Sequence, residues 1–105
     1  MDVFEKFIDV VQHEAFVEAH EVLEETWRAW KAEPALREES FILKGLINGA
    51  TALALFRLGK ASGAHRVWST YEKYRPRINT IPSLHTPFYQ KAEALLDAKY
   101  QEIRC

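Results

Sequence analysis

Apolar residues recur at helical spacing in five segments of the chain, and few glycines or prolines interrupt them. The segment 76–87 contains three prolines and is predicted to be a loop. The predicted helices are an N-terminal helix capped by Asp2, three helices over residues 14–31, 39–58 and 62–74, and a last helix that begins at Thr86 and Pro87. The pattern predicts an all-α fold without a sheet, as a compact bundle of about five helices.

Two features of the pattern refine this bundle. The segment 39–58 is apolar on nearly all sides, which predicts that it is the central and most buried helix, and Gly59 is placed to end it. The sequence AHEV at residues 19–22 returns as AHRV at residues 64–67, each time near the start of an aromatic-rich helix. This weak repeat favours a tetratricopeptide-like repeated helical hairpin within a single helical domain, residues 1–105.

Charge is distributed unevenly along the chain, although the net charge is only −1. Residues 1–39 contain eleven acidic and four basic residues, whereas residues 40–105 contain four acidic and ten basic residues. A nucleic-acid-binding domain is usually basic as a whole, so we expect no nucleic-acid partner. The basic, aromatic-rich stretch 57–77 is interpreted as a solvated helix face over a core of aromatic rings.

The sequence also bears on where the protein resides. The most apolar run, residues 41–58, is interrupted by Lys44, Asn48 and Arg57, so we expect no membrane span. The acidic N-terminus does not resemble a signal peptide. Cys105 is the one cysteine and allows no internal disulfide, as is usual in a reducing compartment. We therefore expect a cytoplasmic protein.

The most informative polar residues lie on the second and third predicted helices. His20 falls among the apolar positions of its helix, and Glu24 lies one turn further on. Lys44, Asn48 and Thr51 form one polar stripe on an otherwise apolar helix. Because a buried lysine requires an acidic partner, we expect His20 and Glu24 to face Lys44 and Asn48 across a helix interface.

This cluster has three interpretations, which the sequence leaves open. It can be a structural ion pair that fixes helix register, a catalytic site, or part of a metal site. The segment HEVLE resembles the zinc-binding motif H-E-x-x-H, but Glu24 replaces the second histidine and no third ligand is evident. Lys44 would also repel a cation. Any divalent metal is therefore expected to bind weakly, with its coordination completed by substrate or water. The glycines beside the polar stripe, Gly45 and Gly49, would let another helix approach closely.

At AHEVLEETW and FILKGLINGATAL the chain resembles the domain of unknown function 309 family of small prokaryotic helical proteins. The family pattern A-H-E-x-x-E-x-x-W is intact here, with His20, Glu21, Glu24 and Trp27 in place. Its second motif, Q/K-G-L-I-Q, is matched from Lys44 onward except that Asn48 replaces the glutamine. The resemblance covers residues 10–75.

The resemblance implies a metal-dependent hydrolase. The resemblance adds Glu21, which a helical wheel places further outward, to the candidates from helical spacing. The candidate residues are then His20, Glu21, Glu24 and Lys44 for catalysis, Trp27 and Asn48 for cofactor binding, and His20 and Glu24 as metal ligands. The alternative is a non-catalytic helical interaction module in which the same cluster is structural. The partner would then be an unidentified small molecule or protein, and the oligomeric state is left open.

Overall fold

The structure is a computed structural model that describes residues 2–104. Of these residues 83% are helical, and no strand occurs among them. The helices are α1 (Val3–Gln12), α2 (Phe16–Val22), α3 (Glu24–Ala32), α4 (Arg37–Arg57), α5 (Ala61–Tyr74), a 3-10 helix (Arg75–Asn79) and α6 (Thr86–Arg104). The predicted all-α fold is confirmed. Asp2 caps α1 as expected, because its carboxylate accepts a hydrogen bond from the backbone N–H of Glu5 at 2.8 Å.

Two predicted boundaries are wrong. The helix expected over residues 14–31 is divided at Leu23, whose ψ of −5° departs from helical geometry and whose side chain is fully buried. The kink lets both α2 and α3 pack against α4. The 3-10 helix occupies the start of the segment predicted as a loop. The last helix, α6, begins at Thr86 as predicted, and the Thr86 hydroxyl donates to the carbonyl of Ser83 at 3.0 Å.

The central position of α4 is confirmed. Eleven of its 21 residues are buried, and it packs against α2, α3, α5 and α6. By length and composition α4 is apolar enough to cross a membrane, but 56% of its apolar window is buried inside the protein. Burial of this kind is what a core helix requires, since its apolar side chains contact other helices rather than lipid.

Close helix packing depends on the two glycines of α4, as the sequence indicated. A Cβ at Gly45 would lie 3.1 Å from the Cβ of Tyr74, and one at Gly49 would lie 3.0 Å from Leu96 and 3.3 Å from the ring of Tyr71. These neighbours belong to α5 and α6. The glycines therefore admit those two helices, whereas α2 and α3 pack elsewhere on α4.

The turn before α2 and the turn before α5 have the same backbone geometry and lie 45 residues apart in the chain. Glu14 and Gly59 both have positive φ, at 62° and 76°. In each turn the next backbone N–H, from Ala15 or Lys60, bonds to a carbonyl five residues earlier at 2.9 Å, which is the Schellman pattern. The likeness is confined to these turns, because α2 is interrupted at Leu23 whereas α5 continues for 14 residues. It does not establish a repeated hairpin.

Two ion-pair networks fasten α6 to the rest of the bundle. Arg75 Nε donates to Glu93 at 2.9 Å, and its guanidinium also pairs with Asp97. Burial alone would lower the pKa of Arg75, but its hydrogen bonds to Asp97 and Glu93 raise it above the ordinary value. The second network, which we call the Glu14 network, joins Glu14 to Arg57 and to Lys99.

Candidate functional site

A groove of about 310 Å³ lies beside the antiparallel hairpin of α3 and α4. We call it the α3–α4 groove. It is lined by five residues: Trp27, Lys31, Arg37, Phe41 and Lys44. Three of the five are cations and two are aromatic. Trp27 and Lys31 are four residues apart on α3, while Arg37, Phe41 and Lys44 follow the four- and three-residue spacing of one face of α4.

None of the three cations is held by a carboxylate within residues 2–104. The ammonium of Lys31 lies 4.8 Å from the ring centre of Trp27. Arg37 Nε donates to the backbone carbonyl of Lys31 at 3.2 Å. The ammonium of Lys44 lies 5.5 Å from the ring centre of Tyr74. Aromatic faces and a carbonyl therefore position these cations without neutralising their charge.

Further cations surround the aromatic pair behind the groove. Phe41 and Tyr74 stack with ring centres 5.4 Å apart and planes 10° from parallel. The guanidinium of Arg77 lies 5.3 Å from each of these rings, and the ammonium of Lys73 lies 5.3 Å from Tyr74. The positive surface thus extends from α3 across α4 to the end of α5.

The residues predicted from the sequence lie on α2, α3 and α4, but they do not form the predicted contacts. Glu24 pairs with Arg28 on its own helix at 3.2 Å, and it makes no hydrogen bond or ion pair to Lys44. The side-chain amide of Asn48 donates to the carbonyl of Lys44 at 2.7 Å, within α4. The predicted ion pair across the interface is therefore wrong. Lys44 is only half-buried, so its side chain can reach solvent and does not require a carboxylate partner.

The other candidate residues differ in how far they reach the groove. Trp27 and Lys44 line it, whereas Asn48 is half-buried one turn further along α4. His20 is half-buried on α2, about two turns from Trp27, and Glu21 is exposed. The outward position of Glu21 follows from its place on the helix, which turns by about 100° per residue.

The described residues do not fit a metal site held by the protein alone. Within residues 2–104 no three side chains of the His, Cys, Asp or Glu types lie close enough together to hold an ion. His20 and Glu24 could supply two donors, fewer than the three protein ligands of a typical catalytic zinc site. Cys105 lies outside the described residues.

Sequence analysis missed Lys31, Arg37 and Phe41. Their helical spacing with Trp27 and Lys44 is present in the sequence, but a lysine on an otherwise apolar helix predicts an acidic partner rather than further cations. Grouping them also requires the tight connection between α3 and α4, in which Leu36 N–H bonds to the carbonyl of Glu33 at 2.9 Å. That turn directs the two helices antiparallel and brings Lys31 next to Arg37.

Fold and site together define a small all-α protein with an uncompensated cationic groove. The chain belongs to the family described as Domain of unknown function (DUF309), whose model matches residues 4–67. The expected family is thereby confirmed, and the description assigns it no activity. All five groove residues lie within the matched region. No curated protein and no solved structure matches the chain.

Proposed function

We propose that this protein binds a small organic anion in the α3–α4 groove. The observation that supports the proposal is the convergence of Lys31, Arg37 and Lys44 on one groove with aromatic walls and no carboxylate partner among the described residues. A group of like charges without counterions is unfavourable in the free protein. An anionic ligand would relieve that repulsion on binding.

The size and chemistry of the groove favour a small molecule over a macromolecule. Its volume of about 310 Å³ lies at the lower end of the range typical of ligand sites. Trp27 and Phe41 offer apolar contact, while the cations supply orientation. The acidic N-terminal part of the chain would repel a long polyanion. We therefore still expect that the protein does not bind nucleic acid.

Metal-dependent hydrolysis is the alternative that the family resemblance implies. The observation in its favour is that His20 and Glu24 are both half-buried and are four residues apart in the chain, on either side of the kink at Leu23. Two donors leave most of a coordination sphere to water or substrate. We therefore place ligand binding first, and the metal test described in the Discussion decides the alternative.

Calorimetric titration at low ionic strength tests the binding proposal. We expect benzoate and phenyl phosphate to bind, whereas benzyl alcohol, which has a ring but no charge, should not. Arg37→Gln should weaken binding of both anions about tenfold, the effect of one lost charged hydrogen bond. Arg66→Gln is the matched control, because Arg66 is exposed on α5 and does not line the groove.

Two results would overturn the proposal. One is failure of both anions to bind at millimolar concentration. The other is an equal loss of affinity in Arg37→Gln and Arg66→Gln, which would assign binding to the general charge of the surface. Circular dichroism of each variant confirms that it remains folded.

A further inference from the structure

We infer that the ligand of the α3–α4 groove is a phosphomonoester that carries a planar ring. This inference rests on the proposed function and specifies its substrate class. Three features of the groove support it: the number of cations, the orientation of Arg37 and the aromatic walls.

The number of cations favours a doubly charged group. Lys31, Arg37 and Lys44 contribute three positive charges to the groove, and Arg77 adds a fourth behind Phe41. A carboxylate or a sulfate ester neutralises one of these charges. A phosphomonoester carries close to two negative charges above pH 7 and offers three acceptor oxygens, so it matches the groove better in charge and in hydrogen-bonding capacity.

Arg37 is oriented for a bidentate contact. Its Nε donates to the carbonyl of Lys31 at 3.2 Å, which restrains the orientation of this exposed guanidinium. The remaining N–H groups donate to no carboxylate within the described residues. A planar fork held in this way matches the paired oxygens of a phosphoryl group, with the lysines acting as additional point charges.

The walls of the groove specify the remainder of the ligand. Trp27 and Phe41 are half-buried and present aromatic surface beside the cations. Aromatic side chains interact favourably with other rings in offset or edge-to-face arrangements. A ring attached to the phosphoryl group would make these contacts, whereas inorganic phosphate would leave both walls uncovered.

Three ligands of graded chemistry test the charge argument by calorimetry at pH 8. Phenyl phosphate and phenyl sulfate share a ring and a tetrahedral anionic group, but the sulfate ester has one charge fewer. We expect phenyl phosphate to bind about tenfold more tightly than phenyl sulfate. Adenosine monophosphate, a phosphomonoester with a larger ring, should also bind more tightly than phenyl sulfate. Which of the two phosphates binds more tightly shows which ring size the groove prefers.

The variant Trp27→Leu tests the ring. It should weaken phenyl phosphate several-fold more than inorganic phosphate, since inorganic phosphate makes no ring contact and is affected only through the position of Lys31. Trp30→Leu is the matched control, because Trp30 packs against Phe4 and His85 outside the groove. The ratio of the two affinities within one variant is independent of small changes in its stability.

The outcomes separate this inference from the proposed function. Equal affinities for phenyl phosphate, phenyl sulfate and benzoate would overturn the phosphomonoester and leave anion binding intact. Equal losses for phenyl phosphate and inorganic phosphate in Trp27→Leu would overturn the role of the ring. If none of these anions binds, the proposed function itself fails.

Discussion

The start of the 3-10 helix and the α3–α4 groove both place basic side chains beside aromatic rings, but the positive charges have different partners in the two regions. Arg75 lies 4.9 Å from the ring centre of Tyr71 and is paired with both Glu93 and Asp97. Lys44 lies at a similar distance from Tyr74 and has no acidic partner among the described residues. A cation thus lies beside a ring in both regions, but carboxylates neutralise its charge only in the first.

The difference separates a structural role from a binding role. The carboxylates around Arg75 fix α6 against the 3-10 helix, and burial together with the charge of Asp97 raises the pKa of Tyr71 above its ordinary value. The charge of Arg75 is therefore neutralised within the protein. In the groove, the cations hold their positions through rings and a carbonyl, so their charge is available to an anion from solution.

Replacing one cation in each region gives the largest expected contrast. Arg75→Met leaves Glu93 and Asp97 without their cation and should lower the free energy of unfolding by about 2 kcal/mol, less than for a fully buried pair because these side chains are partly exposed. Lys44→Met removes a cation with no carboxylate partner and should change stability by less than about 0.5 kcal/mol. Urea denaturation measures both.

Comparable losses in the two variants would remove the distinction between the regions. A double-mutant cycle sharpens the result for Lys44. Since Glu24 pairs with Arg28, the effects of Glu24→Gln and Lys44→Met should add, and a coupling above about 0.5 kcal/mol would restore the ion pair expected from the sequence.

A smaller effect is expected from the Glu14 network under acid conditions. Hydrogen bonds from Lys99 and then Arg57 hold the pKa of Glu14 below its ordinary value. Near pH 4.5 the unfolded chain therefore binds more protons at this residue than the folded chain does. The stabilisation is complete above the unfolded pKa and is lost as the pH falls through the folded pKa.

Glu14→Gln should therefore reduce the loss of stability between neutral pH and about pH 3, as measured by thermal unfolding across that range. Glu18→Gln is the matched control, since Glu18 is exposed on α2 and forms no ion pair within the described residues. If the wild type and Glu14→Gln have identical pH profiles, the Glu14 network contributes no net stability.

The smallest expected effect concerns the binding of metal ions at His20 and Glu24. Because the described residues supply at most two donors there, zinc, manganese and chelator should each leave the melting temperature unchanged. His20→Ala should behave like the wild type in the presence and absence of metal. A rise of several degrees with one metal, abolished by His20→Ala and reversed below about pH 6, would instead favour the metal-dependent hydrolase.

Helical spacing was sufficient to predict most of this fold. Apolar periodicity predicts the start of the central helix to within two residues and its end to within one. The sequence also indicates that Asp2 caps the start of α1 and that Gly59 follows the end of α4. These features depend on local geometry, which a short stretch of sequence determines. The family was also recognisable, because its motifs are contiguous.

Only the tertiary structure decided which cations lie together and which are neutralised. The sequence showed a polar stripe on α4, but a stripe does not reveal which helix covers it. The kink at Leu23, the tight turn before Arg37 and the closure of α5 over Gly45 place Tyr74, rather than Glu24, next to Lys44. Charge pairing depends on distances between residues far apart in the chain, so it follows from packing and not from helical spacing.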